Sequence, residues 1–304
     1  MFYRLKDRLK RWKFNQHAKA VIKTPAAATE DSAIASVFTQ LQHKDVLMFL
    51  VAIKSFAKQI PINKVFILSD GTLTNKDKAQ LEKNITSVEF IELDEVKNEK
   101  CPRGACWERL LAIGERNTEN YIVQLDSDTV TLGAIKEVAE LIQANRSFVI
   151  GTWDGQEIEP MRTNAERVLK NVNPPRDVHV QMLAEATFLQ LPNCNDLNYV
   201  RGCAGFSGFA KGSINLSFIE NISMGMEGLI GAKWHEWGSE QVMSNIVVAN
   251  TPNAAVLPHP KYCDCTEINS AETQFIHYVG SCRFATQHYA NTVATTIASL
   301  SPTV

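Results

Sequence analysis

Between Ala33 and Thr152, apolar runs of strand length alternate with longer segments at helical spacing, and this alternation restricts the fold more than any other feature. Ala33–Thr39 reads as a strand, Val46–Gln59 as a helix, Lys64–Leu68 as a strand closed by Ser69-Asp70-Gly71, and Asn75–Asn84 as a helix. Val88–Leu93, Tyr121–Leu125 and Ser147–Thr152 are the following strands, separated by helices over Ala105–Arg116 and Ala134–Ala144. Repeated β-α-β units require parallel strands joined by right-handed crossovers. The fold class is therefore α/β, with a Rossmann-like, mostly parallel twisted sheet and helices on both faces. No Gly-x-Gly-x-x-Gly follows the first strand, which argues against a nicotinamide or flavin enzyme. Beyond Trp153 the pattern gives way to longer loops, including the glycine-rich runs Gly202–Gly212 and Met224–Gly231. The first of these suits either close backbone approach to a ligand or a bulged strand. A helix returns at Val242–Ala249, a short strand leads from Gln274 into His277, and Thr292–Val304 reads as a frayed tail.

The strand Tyr121–Leu125 runs into Asp126-Ser127-Asp128. Carboxylates two residues apart point to the same side of an extended backbone, and strand ends in open α/β sheets face the crevice where ligands bind. Two such anions repel unless a cation lies between them, and hard divalent ions take carboxylate oxygens readily. The alternative is a polar turn that caps the next helix near Gly133.

Charge is uneven. Up to Lys23 there are eight Lys and Arg against one acidic residue, whereas the whole chain carries a net charge of -2, which makes no general case for nucleic acid. Phe2, Leu5, Leu9 and Trp12 recur at helical spacing among Arg4, Lys6, Arg8, Lys10, Arg11 and Lys13. That is a basic amphipathic helix, suited to an anionic membrane surface or to packing one stripe on its own domain. No apolar run is long enough to span a bilayer. Thr24–Asp31 reads as a linker of weak structural preference. Seven cysteines, an odd number with no secretory signal, favour reduced thiols in a cytoplasmic setting, on the membrane face if the basic helix attaches there. His259, Cys263, Asp264 and Cys265 lie close in sequence, but no second ligand pair completes a zinc site.

Four separated segments then line up with one family. Cys106-Trp107-Glu108-Arg109-Leu110 is similar to an aromatic-x-Arg-Leu helix, and Leu125-Asp126-Ser127-Asp128-Thr129-Val130 to an Asp-x-Asp motif. Glu240-Gln241-Val242-Met243-Ser244-Asn245 is similar to Asp-Gln-Asp-x-x-Asn, and His277 through Arg283 to His-x-x-Gly-x-x-Lys. In this order they resemble the nucleotide-sugar glycosyltransferases of the GT-A fold, most of all the retaining family of glycogenin and the lipopolysaccharide galactosyltransferases. The resemblance implies a division into residues 1–31 (helix and linker), 32–290 (the transferase domain) and 291–304 (tail). Within that domain, residues 32–153 would hold the nucleotide sugar and 154–290 the acceptor and metal.

The resemblance also implies a site. Asp126, Asp128 and His277 would ligate Mn²⁺ or Mg²⁺. Thr39, Gln40, Arg109, Asp126, Ser127, Gly280 and Arg283 would contact the donor, with Arg283 on its diphosphate. Glu240 would bind sugar hydroxyls and Gln241 would lie near the anomeric carbon. The partners implied are a nucleoside diphosphate sugar, UDP-linked by family likeness, and a saccharide or glycolipid acceptor. Two other readings fit parts of the chain: a catalytically degenerate sugar-nucleotide-binding protein, and a haloacid-dehalogenase-like phosphatase, whose motif also begins Asp-x-Asp.

Overall fold

A computed structural model describes residues 2–171, 177–280 and 282–301, with the side chains of residues 2–9 left out. The chain runs α1 (Phe2–Ala18), β1 (Ala35–Leu41), α2 (Val46–Ala57), β2 (Ile62–Ser69), α3 (Asn75–Asn84), β3 (Val88–Glu92), α4 (Trp107–Asn117), β4 (Tyr121–Leu125) and β5 (Thr129–Thr131). Then come α5 (Lys136–Gln143), β6 (Phe148–Gly151), β7 (Glu159–Pro160), α6 (Met161–Asn171), α7 (Val180–Thr187), β8 (Asn198–Tyr199), β9 (Gly202–Phe209) and α8 (Leu216–Ile230). The last elements are α9 (Ser239–Ala249), β10 (Ala255–Leu257), β11 (Tyr262–Asp264), β12 (Phe275–His277) and α10 (His288–Leu300). Two compact units result: Met1–Glu92, Val123–Glu140 and His259–Val304 form the first, and Leu93–Ile122 with Leu141–Pro258 the second.

In the first unit the strand order is β4-β1-β2-β3. β1 to β2 and β2 to β3 are parallel, with Thr39 opposite Ile67 and Ile67 opposite Phe90. This is the βαβ arrangement that the alternating sequence demands. α3 starts where expected because Thr74 and Asp77 form a capping box, the Thr74 side chain accepting from the Asp77 N–H and the Asp77 carboxylate from the Thr74 N–H. α2 is buried over most of its length, from Val46 to Phe56.

Four expectations in this unit are corrected by packing. The turn after β4 leads first into an unexpected strand, β5, ahead of the expected helix, which follows as Lys136–Gln143, because β12 offers β5 an antiparallel partner, Thr129 opposite His277. The segment expected to be a linker is tied down: the Ala27 N–H donates to the Asn84 carbonyl at 2.8 Å and the Glu30 N–H to the Ile62 carbonyl at 2.8 Å. Residues expected to fray instead form α10, since Tyr289, Val293, Thr296 and Ile297 recur on one face and are buried. Small polar residues between them hid that stripe; residues 302–304 lie outside the description.

The fourth correction concerns cysteines. Cys265 and Cys282 form a disulfide with Cα atoms 6.2 Å apart, so not all seven thiols are reduced. β11 and β12 bring the two together, a proximity that spacing along the chain does not reveal. Among the residues considered for zinc, Cys265 is thus engaged in the disulfide. Cys263 is buried against the Thr273 hydroxyl, burial pushing its thiol up to about 11.

α1 is helical as its charge pattern predicts, but the described stripe it docks is a different one. Phe14 and Ala18 are buried, while Trp12 is 56% exposed. Phe14 stacks on Tyr289 at 4.6 Å and meets Phe284 edge-on at 5.6 Å. Arg11 donates to the buried Asp45 carboxylate at 2.6 Å and lies over the Phe284 ring. Phe2, Leu5 and Leu9 have side chains outside the description. No helix among the described residues is long and apolar enough to cross a membrane.

A buried ammonium knits this unit together. Lys54 Nζ donates to the Val21 and Thr24 carbonyls at 3.0 and 3.1 Å, the Thr24 hydroxyl at 3.2 Å and the Asn84 amide oxygen at 2.7 Å. Burial lowers its pKa from 10.5 to about 8. A lysine more acidic folded than unfolded makes the folded chain bind fewer protons between those values, so stability rises as pH climbs from about 8 toward 10.5. Below that window the penalty is present in full. Urea midpoints should rise over this range in the native chain, and the rise should vanish in Lys54→Met. That variant should also lose about 2–4 kcal/mol at neutral pH, because several buried acceptors lose their donor.

In the second unit β10 pairs parallel with β6 and β6 antiparallel with β9. The glycine-rich run proves to be β9, a bulged strand, with the register shift between Val149 and Ile150. A Cβ on Gly208 would strike the Phe148 ring and the Tyr121 hydroxyl, so glycine there makes room for aromatic packing. The second run, expected to be loop, is the end of α8. Asn215 caps that helix, its side chain accepting from the Ser217 N–H at 2.9 Å and the Phe218 N–H at 3.3 Å. Ile219, Ile222, Met226 and Ile230 form its buried stripe. Gly225 and Gly228 weaken the helical signal without abolishing it.

Candidate functional site

Asp126 and Asp128 follow directly after β4 in the first unit. The Asp-Ser-Asp segment is a turn and not the extended piece expected, because the Thr129 N–H and hydroxyl both donate to the Asp126 carbonyl, at 3.3 and 2.8 Å. The carboxylates converge nonetheless. β12 then sets His277 opposite Thr129, and the Tyr278 N–H donates to the Asp128 carbonyl at 2.8 Å, fixing the register that brings the imidazole in.

His277 Nε2 lies 3.3 Å from Asp128 Oδ1 and 3.9 Å from Asp126 Oδ2. One ligand atom from each of the three residues lies within 4.8 Å of the others, and among the described residues this is the only such cluster of three or more His, Cys, Asp or Glu. The donor set, two hard oxygens and one borderline nitrogen, suits a divalent ion of the Mg²⁺ to Mn²⁺ type. Arg283 pairs with Asp128 Oδ2, and its Nε donates to the Tyr278 carbonyl at 3.3 Å. Burial pushes the Asp128 carboxyl up, but the charge and hydrogen bond of His277 and the charge of Arg283 outweigh it and hold the group below the usual carboxylate value. An ionised, nearly buried carboxylate facing an imidazole and a guanidinium can neutralise a cation and leave the guanidinium to meet an anion.

Other expected donor contacts in this unit lie apart from the ion cluster in kind. Ser127 is half-buried between the two aspartates. Thr39 is fully buried in β1, and neither its hydroxyl nor the Gln40 amide oxygen finds a partner among the described residues. Gly280 is exposed, with nothing within 4 Å of where a Cβ would stand, so internal packing does not demand glycine there.

The second unit brings together the other two segments. Arg109 in α4 donates from Nη2 to Glu240 Oε2 in α9 at 2.9 Å, with both side chains under 10% exposed. Trp107 Nε1 donates to the Ser239 hydroxyl at 2.8 Å, two residues back along α4 and one back along α9. Gln241 accepts from the Ala204 N–H at 3.4 Å and donates to Gln181 Oε1 at 3.4 Å. Gln181 in turn donates to the Tyr199 hydroxyl at 3.4 Å, which donates to Glu185 at 3.0 Å. Burial raises the pKa of Glu185, against the opposing charge of Arg201 at 3.2 Å. Sequence reasoning missed Gln181, Glu185 and Tyr199. They lie in a region read as loop, and a lone Gln or Glu on a short helix carries no signal of its own.

No protein-family model matches the sequence, and no curated protein matches it. Solved structures do. The apo form of WbbM, a bifunctional glycosyltransferase, superposes with a TM-score of 0.56 at 13% identity, over 90% of this chain and 51% of that one. This chain thus spans about half the length of WbbM. An active-site mutant of LgtC superposes with a TM-score of 0.51 at 9% identity, over 88% of this chain and 97% of that one. The chain has the GT-A glycosyltransferase fold that the four segments implied, and it carries two carboxylates and an imidazole at the strand end.

Proposed function

We propose that the protein is a metal-dependent glycosyltransferase that moves a sugar from a nucleoside diphosphate sugar, UDP-linked by resemblance, to a saccharide or glycolipid acceptor with retention at the anomeric carbon. The observation that carries this reading is the convergence of Asp126, Asp128 and His277 beside Arg283. Cleavage of the sugar–phosphate bond leaves negative charge on the diphosphate, and a bound Mn²⁺ or Mg²⁺ would offset that charge. Asp126, Asp128 and His277 hold the ion. Arg283, with Ser127 and the open backbone at Gly280, receives the diphosphate, a planar guanidinium being suited to paired phosphate oxygens. Thr39 and Gln40, at the end of β1, contact the donor in this reading.

In this reading Arg109 contacts the donor, Glu240 binds sugar hydroxyls and Gln241 lies at the anomeric carbon. A carboxamide is a weak nucleophile, so the acceptor attacks on the face that the diphosphate leaves and no glycosyl-enzyme forms at Gln241. Incubation with a panel of nucleotide sugars and Mn²⁺ should release nucleoside diphosphate slowly, and a chelator should abolish the release. Release undiminished by chelator contradicts the reading. Phosphate released from phosphate esters would support a phosphatase, and tight binding without turnover a sugar-nucleotide sensor.

The protein also attaches peripherally to an anionic membrane surface through residues 1–23. Lys10, Trp12, Lys13 and Lys19 are exposed, and Trp12 presents a large apolar side chain that is 56% exposed. Because Arg11 and Phe14 are engaged in the fold, the clean test is surface substitution. Lys10→Glu with Trp12→Ser and Lys13→Glu should cut sedimentation with phosphatidylserine vesicles at least tenfold and spare thermal stability. Equal sedimentation of both forms removes the membrane claim.

A further inference from the structure

The Cys265–Cys282 disulfide stands directly against the residues that define the ion cluster. Cys265 follows β11, whose Asp264 is opposite His277, and the Cys265 N–H donates to the His277 carbonyl at 3.1 Å. Cys282 immediately precedes Arg283, and the N–H groups of both donate to the Val279 carbonyl at 3.0 Å. One sulfur is therefore fixed to the backbone of the imidazole ligand and the other to the turn that presents the guanidinium. Arg283 stands in neither a strand nor a helix. Its other tethers include its own bonds to Asp128 and Tyr278 and, one residue on, the packing of Phe284 on Phe14 and Tyr289 beneath Arg11.

We propose that the Cys265–Cys282 disulfide is a positioning pair that holds the Arg283 turn against β12 for anion binding, and that reducing it releases the arm. The bond closes a span of 17 residues that contains His277, so it removes from the ensemble the conformations in which Arg283 swings away from the strand end. Both sulfurs belong to half-exposed residues, with exposed neighbours at Thr266 and Ala285, so a small dithiol can reach them. Reduction follows ordinary exchange. A dithiol reductant's thiolate attacks one sulfur and expels the other as a thiolate; the reductant's second thiol then resolves the mixed disulfide, leaving two cysteine thiols and an oxidised reductant. The five remaining cysteines form no disulfide and take no part in the exchange. The effect on nucleotide affinity rests on the reading of Arg283 as the diphosphate arm; the effect on the turn itself does not.

Two readouts on the full chain separate these. Trypsin cleaves after Arg283, and the side chain is now held to Asp128. Cleavage at that bond, followed by mass spectrometry, should accelerate about tenfold or more after dithiol treatment and equally in Cys282→Ser, which should no longer respond to dithiol. Affinity for UDP with Mn²⁺, measured by calorimetry, should weaken about tenfold under the same two conditions while the melting temperature of the reduced native chain keeps a cooperative transition. Unchanged cleavage at Arg283 in both the reduced chain and Cys282→Ser overturns the proposal, as does a thiol count of seven in the untreated protein. If the oxidised chain binds no UDP at all, the assigned function fails, and the cleavage rate alone decides the positioning claim. UDP affinity that persists unchanged on reduction despite faster cleavage overturns the role in anion binding.

Discussion

Asp128→Ala should lower turnover on the best nucleotide sugar by about a hundredfold or more, roughly 3 kcal/mol of transition-state stabilisation. This carboxylate sits at the centre of the cluster, with His277 on one oxygen and Arg283 on the other. Removing it takes away an ion ligand and leaves the imidazole and the guanidinium facing each other across the gap. Asp128→Asn separates the two consequences. It keeps the volume and can still accept from Arg283, so it should fold close to normally and yet lose ion affinity and turnover almost as far as the alanine variant. Steady-state rates with Mn²⁺ titrated over a wide range check this. A variant restored to full rate by more Mn²⁺ has lost binding of the ion alone, whereas one that stays slow at saturation has lost charge placement too.

Arg109→Met should destabilise the chain by about 3–5 kcal/mol, the second large effect, because it removes the guanidinium facing a buried carboxylate. Arg109 and Glu240 are 7% and 4% exposed in their side chains, so water cannot screen the charge left behind. Adding Glu240→Leu should recover most of the loss, since a buried ion pair replaced whole by apolar groups is often close to neutral. Chemical denaturation of the two single variants and the double variant gives the coupling. A small loss in Arg109→Met would mean that the pair contributes little to stability.

How much of this was legible follows from which forces act locally. β1, α2, β2, α3, β3 and β4 could be read because each carries its own pattern: apolar runs, helical stripes, and the Thr74/Asp77 cap. β5 could not. It is a short strand that exists because it pairs with β12, far along the chain, whereas β12 itself was read as the short strand before His277. α8 was obscured by Gly225 and Gly228, whose propensities disfavour a helix, and α10 by the threonines and small residues that separate its buried stripe. The ion cluster was legible through the type and order of Asp126, Asp128 and His277, and Arg283 came with it. The disulfide was not, because the register of β11 on β12 and the turn before Arg283 bring its cysteines together, and sequence spacing specifies neither. Phe14 was likewise passed over in favour of Trp12. Both are aromatic, and only the presence of Phe284 and Tyr289 decides which of them is buried.

The central claim is that two aspartates after β4 and the imidazole of β12 share one divalent ion. Anomalous diffraction from a crystal grown with Mn²⁺ and UDP tests it without recourse to turnover. A single peak should lie about 2.0–2.4 Å from an oxygen of Asp126, an oxygen of Asp128 and Nε2 of His277. A peak bound elsewhere, or His277 turned away from an ion held by the carboxylates alone, would contradict the account.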